Sequence, residues 1–160
     1  MNPHPENRSA LASPAVEKMD APLESGPRIR ILVVDDSRAS ADALSAYLLS
    51  GGFDVRTVYH GSDALREAKA WLPDCIVLDI AMPGLSGIGV AAALRGSEAT
   101  ENIPLLAFTA FDTADYIGDM KASGFSAICR KPAELAELES VIVRLANHES
   151  LDGSQSLPDT

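Results

Sequence analysis

Basic side chains are scarce in this chain: 13 Lys and Arg stand against 23 Asp and Glu, a formal net charge of −10. That balance argues against nucleic acid or an anionic membrane as the main partner, since both repel an acidic surface. No apolar run approaches the ~18 residues that a membrane span needs. The opening stretch "MNPHPENRSALASPAVEKMD" lacks a basic start followed by an apolar core, so it does not read as a signal peptide. Cysteine is nearly absent too. Cys75 and Cys129 sit inside the apolar runs "DCIVLD" and "AICRKP", which favours buried unpaired thiols over a disulfide and suits a reducing cytoplasm.

What is present is a globular composition, 46% apolar over 160 residues, enough for one domain with tails. Residues 1–27 hold Pro3, Pro5, Pro14, Pro22 and Pro27 among Ser, Glu and Asn without sustained periodicity, and read as a disordered tail. From Asn147 the chain turns polar again ("NHESLDGSQSLPDT"), so 147–160 reads as a second tail. The intervening 28–146 carries 11 basic and 16 acidic side chains, half of the net charge.

Within 28–146, short apolar runs alternate with helical spacings. "RIRILVV" (28–34) reads as a first strand, followed by a helix carrying Leu44, Tyr47 and Leu48 that stops at Gly51-Gly52. "FDVRTVY" (53–59) alternates like a strand nearer a sheet edge. Ser62 is a candidate cap for a helix burying Leu65, Ala68 and Leu72, ended by Pro73. "DCIVLDI" (74–80) and "IPLLAFT" (103–109) are nearly continuous apolar runs, the mark of strands covered on both faces. Residues 87–95 look helical, a further helix is expected over about 113–123, and "FSAICRK" reads as the fifth strand. The last helix carries Leu135, Leu138, Val141, Ile142 and Leu145 on one stripe. Strict strand–helix alternation implies right-handed crossovers and a doubly wound parallel α/β sheet, whose ligands bind beyond the carboxyl ends of the strands.

Those strand ends carry Asp35-Asp36, Asp79, Thr109 and Lys131-Pro132. Singly, each has an ordinary explanation as a turn, cap or solvated residue. Together they put three carboxylates, a hydroxyl and an ammonium at one edge. Clustered carboxylates raise each other's pKa unless a cation intervenes, and one lysine does not suffice. Mg²⁺ is the natural complement, because it uses few carboxylates and keeps positions for water and phosphate oxygen. A carboxylate beside Mg²⁺ and Lys can attack phosphorus, and Thr109 and Lys131 could hold the remaining phosphoryl oxygens.

At "ILVVDD", "VLDIAMPGLSG", "LAFTA" and "CRKP" the sequence resembles the receiver domain of two-component response regulators, over essentially all of 28–146. The resemblance implies a flavodoxin-like (βα)5 fold of strand order 2-1-3-4-5. It also implies a phosphoryl group received from a sensor histidine kinase or a phosphotransfer protein. Carried over by residue, Asp79 is the phosphoacceptor. Asp36 and Asp79 ligate Mg²⁺ directly, Asp35 acts mainly through water, and the Ala81 carbonyl completes the protein ligands. Thr109, Ala110 and Lys131 bind the phosphoryl group, and Lys131–Pro132 is a cis peptide. Ala81 and Phe111 flank the path of the hydrolytic water. Two places depart from the pattern. Leu85-Ser86 stand in "MPGLSG" where Met-Asp is common before the glycine, and Ile128 stands where an aromatic switch residue is usual.

With no domain pattern after Asn147, the chain reads as a single-domain regulator that signals by protein contact or as a phosphorelay shuttle, with no enzymatic turnover of a separate substrate, only self-phosphorylation and autodephosphorylation. Its target would dock on the face of the fourth helix, fifth strand and last helix, near the acidic Asp112, Asp115 and Asp119. It would be a monomer or weak homodimer, touching neither nucleic acid nor membrane. Three rivals fit less well. A metal-dependent aspartyl phosphatase needs an acid two residues after its nucleophile, where Ala81 stands, and a cap domain. A flavin-binding domain needs a Gly/Ser/Thr-rich phosphate loop after the first strand. A pseudo-receiver usually lacks one of the acids or the lysine.

Overall fold

The computed structural model describes residues 27–82, 86–110, 112, 114–149 and 151. Apolar residues on both faces of successive short runs force a sheet covered on both sides, and the chain delivers it. The order is β1 (Arg30–Val34), α1 (Arg38–Ser50), β2 (Asp54–Val58), α2 (Gly61–Trp71), β3 (Cys75–Leu78), α3 (Gly87–Arg95), β4 (Leu105–Thr109), α4 (Ile117–Ala122), β5 (Ala127–Arg130) and α5 (Leu135–Ala146). All strand pairs are parallel and the sheet order is β2-β1-β3-β4-β5, the flavodoxin-like arrangement. The strand order reverses at β1, so a crevice opens beyond the carboxyl ends of β1 and β3.

Alternation along each strand splits the core in two. Ile31, Val33, Cys75, Val77, Leu106 and Ala127 face α1 and α5, which bring Leu44, Leu48, Leu138, Val141, Ile142 and Leu145. Leu32, Val34, Ile76, Leu78, Leu105 and Ala107 face the opposite layer, where Ala64, Ala68, Val90, Leu94 and Met120 close on them. The central strands are therefore buried on both sides, whereas edge strand β2 has no fully buried residue. Both cysteines are buried and free, and burial pushes the Cys75 thiol up to about 12.

Three expectations need correction. The second helix begins at Gly61, so Ser62 lies inside its first turn; the cap position is His60, which makes no side-chain capping bond. Leu72 is not on the buried stripe but about half exposed, in a left-handed conformation with φ 52°. A right-handed helical backbone clashes with the ring of the following proline, so Pro73 ends the helix at Trp71 and turns Leu72 outward. The fourth helix is shorter than expected: a 3-10 turn at Ala114–Tyr116 precedes only six α-helical residues. Gly118, the second residue of the α-helical stretch, weakens its start, and Asp112 draws the Ala114 N–H to its own carboxylate (3.1 Å).

The expected tail from Asn147 starts with ordered structure. His148 (φ 56°) donates to the Leu145 carbonyl and Glu149 to the Arg144 carbonyl, a Schellman closure of α5. Leu151 then packs against the α1–α5 core. The rest of 147–160, and the first tail apart from Pro27, lie outside the described residues.

Arg95 ties the second layer together. Its guanidinium, half-buried at the end of α3, donates to the carbonyls of Glu101 (2.8 Å), Ile103 (2.8 Å) and Gly124 (2.7 and 3.2 Å). Gly124 is required twice over: its φ is +88°, and a Cβ there would lie 2.5 Å from Arg95 Nε. Replacing Arg95 with Met leaves several carbonyls unpaired under partial burial, a cost of about 2–3 kcal/mol. Arg66, whose pair with Asp63 is largely exposed, is the control: Arg66→Met should cost less than about 0.5 kcal/mol. Urea unfolding of both variants checks the ranking.

Candidate functional site

Four of the five strands hand over a polar residue where the apolar run stops. Asp35 follows β1, Asp79 follows β3, Thr109 closes β4 and Lys131 follows β5. Parallel pairing sets these ends side by side: Asp79 N–H donates to the Val34 carbonyl (2.9 Å) and Lys131 N–H to the Thr109 carbonyl (2.9 Å). Asp35, Asp36 and Asp79 each offer a carboxylate oxygen within 4.8 Å of the others.

The adjacent acids Asp35 and Asp36 occupy different surroundings. Asp35 is only 5% exposed, whereas Asp36 is exposed. Asp35 Oδ2 accepts from Lys131 Nζ at 3.1 Å, and its Oδ1 accepts from the Ser37 N–H at 2.9 Å. Ser37 in turn caps α1, its hydroxyl accepting from the Ser40 N–H. Asp79 is half-buried, and burial holds its carboxyl above the ordinary carboxylate range. The Thr109 hydroxyl, hydrogen-bonded to it, pulls the other way; Asp35 adds to the rise, and Lys131 and the Ala81 N–H (3.3 Å) oppose it. The balance leaves Asp79 short of positive charge.

The loop after Asp79 is pressed against α3. Gly87 N–H donates to the Ile80 carbonyl (3.0 Å), and Ser86 caps α3 by accepting from the Gly89 N–H. A Cβ on Gly87 would stand 2.4 Å from the Asp79 carbonyl oxygen, so any other residue there displaces the backbone of Asp79. Ala81 and Ala110 are exposed beside the cluster. The Lys131–Pro132 peptide is cis. Ile128 is half-buried and packs with the second core, paired in register with Ala107. Asp112, Asp115 and Asp119 are exposed on the α4 side, Asp112 pairing with Arg130 at 3.3 Å. Phe111 and Leu85 lie outside the described residues.

The structure thus brings together Asp35, Asp36, Asp79, Thr109 and Lys131. Three neighbours were not singled out from the sequence. Gly87 opens α3 directly after the capping Ser86, and a glycine at a helix start is the trace of a close backbone approach. Ser37 follows the acid pair at a cap position, a pattern legible in "DDSRAS". Phe108 precedes Thr109 on β4, and the Lys131 ammonium lies over its ring, 5.1 Å from the centroid. Nothing in linear spacing points from residue 108 to residue 131.

Residues 31–143 match the family model described as the response regulator receiver domain. The DNA-binding response regulator MtrA of Mycolicibacterium smegmatis is 37% identical over 124 residues, covering 76% of this chain and 53% of that protein. Response regulator PleD of Caulobacter vibrioides is 40% identical over 106 residues, 66% of this chain and 23% of that protein. The chain therefore spans about half the length of the first relative and about a quarter of the second. Among solved structures, chemotaxis protein CheY4 of Vibrio cholerae aligns with a TM-score of 0.71 at 27% identity, over 74% of this chain and 99% of that one. The receiver domain of sensor histidine kinase PA1611 from Pseudomonas aeruginosa, with a magnesium ion coordinated in its active site cleft, gives 0.69 at 27% identity, over 76% and 99%. With the five-stranded order, the carboxylate cluster and these matches in agreement, the chain belongs to the response regulator receiver domain family.

Proposed function

We propose that Asp79 is the phosphoacceptor of a signalling receiver, charged by a phosphohistidine on a sensor kinase or a phosphotransfer protein. One observation carries the reading. Three carboxylates converge within 4.8 Å, while Lys131, the cation in contact with them among the described residues, is engaged with Asp35. Such a cluster holds more negative charge than its protein surroundings neutralise, and hard oxygen donors in this number fit Mg²⁺. Asp36 and Asp79 would hold the ion directly, Asp35 mainly through water, and the Ala81 carbonyl would complete the protein ligands. When bound, the ion supplies positive charge that stabilises and orients phosphoryl oxygens.

An Asp79 carboxylate oxygen attacks the phosphorus in line. The new O–P bond forms an acyl phosphate as the P–N bond to the donor histidine breaks, and the imidazole leaves with the electron pair and takes up a proton. The Thr109 hydroxyl, the Ala110 N–H and the Lys131 ammonium receive the phosphoryl oxygens. The reacting group is the protein's own side chain, so the chemistry is self-modification and its reversal rather than turnover of a separate substrate. Free buried thiols at Cys75 and Cys129 suit a cytoplasmic setting.

Output is read through protein contact on the α4–β5–α5 side, where the exposed Asp112, Asp115 and Asp119 favour a basic partner surface over nucleic acid. Ile128 replaces an aromatic at this face, so the signal passes through movement of the short α4 rather than through a rotating ring at that position.

Incubation with Mg²⁺ and acetyl phosphate should add one phosphoryl mass to the wild type and none to Asp79→Asn, as read by mass spectrometry. Without Mg²⁺, Asp79→Asn should also melt a few degrees higher, because a neutral amide removes the half-buried charge. Equal labelling of the two proteins sinks the assignment. The phosphoryl group should be long-lived, since the exposed Ala81 side chain offers an attacking water no hydrogen-bond partner. Ala81→Asn should speed phospho-Asp79 decay about tenfold by orienting that water; unchanged decay argues against this account. Charge reversal at Asp115 and Asp119 should weaken target binding at least about tenfold and leave Asp79 labelling intact; binding to the target measured by titration calorimetry decides it.

A further inference from the structure

We infer that Phe108 is a positioning residue for Lys131, its ring steadying the lysine ammonium between Asp35 and the oxygens that reach Asp79. The inference deepens the phosphoacceptor reading above and rests on it. Lys131 Nζ lies 3.1 Å from Asp35 Oδ2 and 5.1 Å from the centroid of the Phe108 ring, over its face. The lysine side chain is 22% exposed, so it is partly withdrawn from water, with the ring and the buried carboxylate both against its ammonium.

The chemistry of this pairing differs from that of a second carboxylate. An aromatic face attracts a cation through its quadrupole, and the attraction strengthens when the cation is partly removed from water. It adds no full negative charge to a cluster that already has three carboxylates. It also takes up none of the N–H bonds of the ammonium: among the described residues one serves Asp35, and an ammonium has three to give, so phosphoryl oxygens can be met as well. A lysine stem is long and loses much rotamer freedom when fixed, so a ring that restricts it beforehand reduces the ordering left to the phosphorylated state.

Strand geometry explains why residue 108 can do this. Parallel register pairs Phe108 with Cys129 and Thr109 with Arg130. The chain then continues to Lys131, whose N–H is held by the Thr109 carbonyl at 2.9 Å. Phe108 is half-buried and also packs against the α1–α5 core. A purely structural role is therefore the competing explanation, and the two make different predictions.

The first measurement is NMR of the Lys131 ε-methylene. In the unphosphorylated wild type the ring current should shift it upfield; Phe108→Leu and the volume-matched Phe108→Met should abolish the shift, and Phe108→Tyr should keep it. The second is the rate of Asp79 labelling by acetyl phosphate at saturating Mg²⁺. Phe108→Leu should slow it about three- to tenfold, and Phe108→Tyr should stay within about twofold of wild type. In a Lys131→Ala background, Phe108→Leu should cause no further loss, because the ring acts through the lysine. Labelling of Phe108→Leu and Phe108→Met at the wild-type rate overturns the inference. So does an equal fold-loss in the Lys131→Ala background, which would assign the effect to packing. Failure of the wild type itself to accept phosphate is a separate result that removes the phosphoacceptor reading, and the kinetic role of Phe108 with it.

Discussion

The contact between Lys131 and Asp35 spans 96 residues of sequence and joins the loop after the last strand to the loop after the first. It forms only when β1, β3, β4 and β5 lie side by side with their carboxyl ends level. The two apolar layers that pack the sheet therefore also set the electrostatics of its edge. Asp35 is almost fully buried, and an unpaired carboxylate at such a depth is costly. Lys131 and the Ser37 N–H meet that cost. Burial first, and Asp35 as well, push the Asp79 carboxyl upward against the pull of Thr109 and Lys131. The site is a cluster of three carboxylates with one lysine beside it, held at the edge of the sheet.

The two layers differ in how firmly they are held. On one side α1 and α5 bury long aliphatic stripes against the sheet, and α5 is closed by a Schellman turn that brings Leu151 back onto the core. On the other side α4 is six residues long and buries only Met120, with a 3-10 turn in front of it that buries nothing. Arg95 clamps the carboxyl end of that helix through Gly124. The opposite end is close in sequence to Thr109, the buried hydroxyl bonded to Asp79. The helix is thus fixed at its carboxyl end and weakly packed at the other, the pattern of a segment that opens locally at low cost.

Relatives and structural neighbours agree on the domain while differing in what surrounds it. MtrA is named a DNA-binding regulator, and the PA1611 domain belongs to a sensor kinase. The shared receiver chemistry is thus independent of the output attached to it. In this chain Phe108 lies under the lysine, Ile128 packs in the second core and Ala81 is exposed close to Asp79 in sequence.

Much of this was determined by local sequence. Continuous apolar runs with a polar residue at each end specify central parallel strands, since only strands covered on both faces bury every side chain, and the strand-end acids, Thr109 and Lys131 follow from them directly. The helix start at Gly61, the outward turn of Leu72 and the short α4 were not legible in the same way. There, spacing competes with backbone restrictions from Pro73, Gly118 and the Asp112 side chain, and the spacing loses. What only the tertiary structure decided are relations between distant segments: the different burial of Asp35 and Asp36, the Arg95 clamp on Gly124, the press of Gly87 on Asp79, and the Phe108 ring beneath Lys131. Each depends on register between strands and on the approach of loops. A periodicity of two or 3.6 assigns a face to a side chain but not the partner it meets there.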